Sequence, residues 1–127
     1  MYYIYESIFT GLFCLLIYSI LTPLLNMKDS FFIILFILGF LKHSLGYLFQ
    51  IQTYYCSIYK SPSSKASSPT FGENILEGIF FIIIGFFLSL FINNKYMITF
   101  LIGFFIHVIA EVSGIHDYYI SKKCIYY

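Results

Sequence analysis

Four side chains in this 127-residue chain are hard to account for as packing: His43, Glu77, His107 and Glu111. Each falls inside a long apolar stretch. An ionisable group there costs at least ~2.5–3.5 kcal/mol by insertion scales, so it must face a bundle interior or a cavity. His107 and Glu111 are four residues apart, which puts both on one helical face. The set His107, Glu111, Gly114, Tyr118 has the same spacing as His43, Tyr47, Gln50, Tyr54. Two further stripes come from Glu73 with Glu77 and from Glu6 with Thr10. Imidazoles beside carboxylates can relay a proton, act as acid and base, or hold a metal ion. His107, Glu111 and Glu77 form a candidate metal-ligand set, and His43 with His107 a candidate axial pair for a haem between the second and fourth helices. Spacing identifies the donors and leaves the cofactor unnamed.

The remaining reactive side chains have structural readings. Thr70-Phe71-Gly72-Glu73 matches a capping box, so Glu73 is expected to close a helix start. Glu6 lies near the first helix start, where the helix dipole favours an acid. His116 and Asp117 fall at a membrane interface and read as solvated. Lys42 is placed to pair with Glu77 or Glu111. Three cysteines give no C-x-x-C spacing, and Cys14 reads as packing. Cys56 and Cys124 fall on one side of the membrane and can pair only if that side is oxidising. No nucleophile-elbow, zinc-protease, P-loop, dinucleotide or potassium-filter motif occurs.

The elements that must position these groups are read from the apolar runs. The chain is 60% hydrophobic and only 10% charged, where a soluble domain is about a quarter charged. That excludes a soluble enzyme and a disordered tail, and a net charge of +1 offers no footprint for nucleic acid. Four runs are long enough to cross ~30 Å of hydrocarbon, at about 4–25, 30–57, 71–92 and 96–119. Short polar turns at 26–29 and 93–95 make two helical hairpins, 1–58 and 71–127, the second with a short basic tail. Residues 59–70 form a flexible Ser/Pro linker. The expected fold is an all-α, four-transmembrane-helix, up-down-up-down bundle. The first span lacks a basic leader and a small-residue cleavage site, so it reads as an anchor. Lys60, Lys65, Lys122 and Lys123 against Lys28 and Lys95 place the termini and linker on the cytoplasmic-equivalent side. The same count argues against a Cys56–Cys124 bond. His107, eleven residues before the interfacial Tyr118, is expected about 16 Å deep.

The hairpins read as tandem copies. Residues 6–28 align with 73–95, matching Glu6/Glu73, Gly11/Gly78, Asn26/Asn93 and Lys28/Lys95. Residues 34–55 align with 98–119, matching Gly39/Gly103, His43/His107, Tyr54/Tyr118 and Tyr55/Tyr119. Each copy holds an even number of spans, so the pseudo-two-fold axis lies along the membrane normal. The functional expectation is an intramembrane His/Glu-lined pocket that binds a small ligand, proton, metal or haem, with the lipid bilayer and other membrane subunits or a second copy as partners. The competing reading is a structural or assembly protein of an organellar or large-virus membrane, in which buried polar groups serve only as contacts between helices. A codon-driven excess of Ile, Phe and Tyr over Ala and Val suggests such AT-rich sources.

Overall fold

A computed structural model describes residues 2–25, 31–59, 65–67, 70–115, 118, 122 and 124–125. Five helices occur among them: α1 (Tyr2–Leu25), α2 (Phe31–Leu48), α3 (Ile51–Tyr59), α4 (Phe71–Ser89) and α5 (Lys95–Ser113). Two short strands, β1 (Lys65–Ala66) and β2 (Cys124–Ile125), pair antiparallel. Four helices (α1, α2, α4 and α5) are long and apolar enough to cross a membrane. Their outward surface is Leu, Ile and Phe, as at Leu16, Ile83, Phe87 and Ile109. Lipid is the solvent that suits such a surface.

Local chemistry sets the ends. Thr70 caps α4: its hydroxyl accepts from the Glu73 amide, and the Glu73 carboxylate accepts from the Thr70 amide. Asn94 caps α5, its side-chain oxygen accepting from the amides of Tyr96 and Met97. Pro23 falls within the last turn of α1, which continues to Leu25. The expected second span, 30–57, is not one helix. It breaks after Leu48, where Gln50 takes a left-handed conformation (φ 60°) and α3 begins at Ile51. Gly114 likewise ends α5 in a left-handed conformation (φ 82°). The Gln50 amide donates to the Tyr47 carbonyl and the Gly114 amide to the Glu111 carbonyl.

Packing does not follow the hairpins. The most extensive helix contacts are α1 on α5 and α2 on α4; α1 with α2 and α4 with α5 touch far less. Glycine is what permits these two antiparallel crossings. A methyl built on Gly103 would lie 2.9 Å from the Gly11 Cα, and one on Gly39 would lie 2.8 Å from the Gly78 Cα. Small residues of this kind let membrane helices approach backbone to backbone, where dispersion rather than the hydrophobic effect holds them. Cys14, Ile17 and Tyr18 of α1, Leu35 and Leu38 of α2, Phe81 of α4 and Ile102 of α5 fill the centre.

The 59–70 linker differs from expectation where it is described. Lys65 pairs with Ile125 and Ala66 with Cys124, so this stretch is joined to the C-terminal segment. The turn at 26–30 and residues 60–64 lie outside the described residues.

Candidate functional site

The candidate side chains gather where α1 and α4 begin and α2 and α5 end. A cavity of about 190 Å³ lies there, with both histidines on its wall. Lys42, His43 and Glu77 line it on one side, Thr10 and His107 on the other, and Gln52 and the Cys56–Cys124 pair line it as well. Phe9, Phe13, Ile51, Ile106 and Ile115 complete an otherwise apolar wall. Such a space holds several waters or one small amphipathic molecule.

One wall carries an internal ion pair. Lys42 Nζ donates to Glu77 Oε1 at 2.7 Å, and His43 Nε2 lies 3.1 Å from Glu77 Oε2. Gln52 Nε2 reaches both the His43 carbonyl (3.4 Å) and His43 Nδ1 (3.0 Å). A carbonyl only accepts, so the amide nitrogen is the donor to Nδ1, and the imidazole hydrogen sits on Nε2, donating to Glu77. Asn74 Nδ2 donates to Ser44 Oγ at 3.1 Å, tying α4 to α2 close by. Of the two partners expected for Lys42, Glu77 is the one it takes.

The opposite wall is built differently. His107 Nε2 lies 3.0 Å from Glu6 Oε2, with both side chains about nine-tenths buried. One ligand atom from each of Glu6, His107 and Glu111 falls within 4.8 Å of the other two. Thr10 returns its hydroxyl to the Glu6 carbonyl at 2.8 Å, holding the α1 turn that presents Glu6. One turn deeper, Gly11 and Gly103 lock α1 against α5. The chain supplies an ammonium to Glu77 from Lys42, whereas the aligned position on α5 is Ile106.

The expected set is therefore split. His43, His107 and Glu77 share the cavity wall; Glu111 instead joins Glu6 and His107. Equal depth on two helices says nothing about azimuth, and Glu77 turns to α2. The histidines also sit nearer the helix ends than a continuous fourth span implies. His107 is six residues before the end of α5, about 9 Å along the axis. A haem bound through both Nε2 atoms would displace two carboxylate contacts, His43–Glu77 and His107–Glu6. Gln52 was not singled out by its type or spacing, because it lies beyond the break that brings it back over His43. Glu6 reads as a dipole-favoured acid in sequence yet binds His107. Glu73, at the aligned position, does serve as the cap. His116 and Asp117 lie outside the described residues.

A Cys56–Cys124 disulfide is present, contrary to the expectation against that bond. The two sulfurs are bonded, with Cα atoms 5.5 Å apart. Cys14 is the remaining thiol and is fully buried, as expected for packing. Compared with known proteins, the chain matches no family model, no curated sequence and no solved structure.

Proposed function

We propose that this chain is a multi-pass membrane protein that holds a divalent transition-metal ion at Glu6, His107 and Glu111, beside an intramembrane cavity open to a small amphipathic ligand. The observation that carries this reading is the convergence of two carboxylates and one imidazole, from two helices, to within 4.8 Å. Imidazole with carboxylate suits zinc, iron or manganese. A metal ion takes the place of the hydrogen that His107 now shares with Glu6, and it does for this wall what Lys42 does for Glu77. Of the three ligands His107 also lines the cavity, so an ion held there would border the space a small ligand would occupy. Backbone contact at Gly11 and Gly103 supplies the rigidity that a preformed site needs.

A tandem origin supports the same reading. The two helix crossings use glycines at aligned positions, Gly11 with Gly103 and Gly78 with Gly39. The left-handed residues Gln50 and Gly114 are also aligned, as are Tyr54 and Tyr118, whose amides donate to the carbonyls of Gln50 and Gly114. On this reading the first helix of each half packs on the second helix of the other. One crossing kept an internal lysine–carboxylate pair; the other, with Ile106 for Lys42 and Glu111 for Tyr47, became a cation site.

Metal uptake by the detergent-purified, chelator-stripped chain tests the reading. Wild type is expected to bind one Zn²⁺ per chain, with Glu6→Gln, His107→Ala and Glu111→Gln each weakening uptake by roughly tenfold or more. Glu73→Gln, at the α4 cap and outside the three-ligand cluster, should bind as wild type does. Absence of saturable uptake, or uptake indifferent to all three ligand substitutions, refutes the site and leaves the structural-protein reading in the lead.

A further inference from the structure

The disulfide carries an inference independent of the metal. We infer that the cavity end of the bundle faces an oxidising compartment, where a disulfide-donating thiol oxidoreductase joins Cys56 to Cys124. Disulfides persist in oxidising compartments and are rare where glutathione and thioredoxin keep thiols reduced. This one is built into the architecture. Cys56 lies on α3, directly after the break at Gln50, and is 1% exposed. Cys124 lies on β2, held against Ala66 of β1. Sixty-eight residues separate the pair, so the bond ties the first half of the chain to the C-terminal segment.

This reverses the orientation that the lysine count favours. That count is four against two, and such a bias is statistical, whereas the compartment rule acts on the chemistry of the bond itself. With the cavity end on the oxidising side, the opposite end of the bundle, where α5 begins at Lys95, faces the reducing side. The oxidation balances by exchange. A Cys56 or Cys124 thiolate attacks the donor's disulfide to give a mixed disulfide and one donor thiol. The second cysteine then displaces the other donor sulfur, forming the Cys56–Cys124 bond. The donor leaves with two electrons and both hydrogens, as a dithiol. Since both cysteines are buried once joined, exchange must precede the seating of β2 over the cavity.

Expression of the full chain in the bacterial inner membrane tests both parts. Ser64→Cys and Asn93→Cys are each labelled in intact cells with a membrane-impermeant maleimide. Separately, wild type is denatured with and without reductant and its reactive thiols are counted. Ser64→Cys should label from outside and Asn93→Cys should not. Wild type should show one reactive thiol, Cys14, before reduction and three after. In cells lacking the periplasmic thiol oxidase, three should react without reductant. The inference fails if Asn93→Cys labels from outside and Ser64→Cys does not, if three thiols react in oxidase-competent cells, or if the bond forms equally without the oxidase.

Discussion

Lys42→Met gives the sharpest test of how the cavity wall is held together. Lys42 Nζ sits 2.7 Å from Glu77 Oε1, and the two side chains are only 16% and 13% exposed. Removing the ammonium leaves the Glu77 carboxylate with the His43 Nε2 contact at 3.1 Å. Breaking one side of a buried ion pair typically costs about 3–5 kcal/mol, while replacing both members with apolar groups is often neutral. Since 1.4 kcal/mol is tenfold, Lys42→Met should raise the open population by at least ~100-fold. Lys42→Met/Glu77→Leu should recover most of that loss. Cys14 supplies the assay, because its thiol is fully buried and the other two cysteines are joined. A fluorogenic maleimide reacting in detergent reports each opening of the bundle, and the four variants form a double-mutant cycle. Labelling of Lys42→Met at the wild-type rate, or a double variant as labile as the sum of the singles, would refute the argument.

Two further outcomes follow from packing and the covalent link. Gly39→Ala and Gly103→Ala should each destabilise by about 1–3 kcal/mol, because beside a side-chain atom (of Phe81 or Cys14) the new methyl meets backbone of the facing helix, which cannot step aside as a flexible side chain can. Gly46→Ala, whose nearest neighbour would be 3.7 Å away, should be neutral or mildly stabilising; the same maleimide rate measures all three. Cys124→Ser removes a bond closing a 68-residue separation, for which chain entropy allows at most about 4 kcal/mol. Insertion already confines the open chain, so the loss of thermal stability in detergent should fall below that ceiling; an unchanged melting temperature would remove the bond's structural role.

Much of this is legible in the chain itself. Apolar run length shows the four membrane-length helices, and Thr70 with Glu73 marks the start of α4 to the residue. A carboxylate partner for Lys42 is legible too, as Glu77 or Glu111, because a lysine in an apolar helix must find an acid within about a turn of its own depth; the choice of Glu77 comes from the packing of α2 on α4. The rest depends on azimuth and on bends. Nothing local distinguishes a helix that packs on its hairpin neighbour from one that crosses to the other half. That choice is made by where Gly11, Gly39, Gly78 and Gly103 let backbones touch. The break at Gln50 carries no proline or glycine, so the second apolar run reads as one helix, and Gln52 is placed a turn too far from His43. Without that bend, Cys56 has no reason to meet Cys124.

The crossing of α1 with α5 also has a consequence for the timing of biogenesis. Among the described helices α1 is made well before its main partner α5, with α2 and α4 between them, whereas α2 needs to wait only for α4. During synthesis α1 therefore rests in lipid with Glu6 lacking His107, and its polar face must be tolerated, or shielded by an insertion factor, until α5 arrives. In order of synthesis the α2–α4 pair can assemble before α5 completes the α1–α5 pair, and the Cys56–Cys124 bond can close only after β2 is made. A chain stalled before α5 would hold Glu6 in the membrane without the His107 contact that the finished bundle supplies.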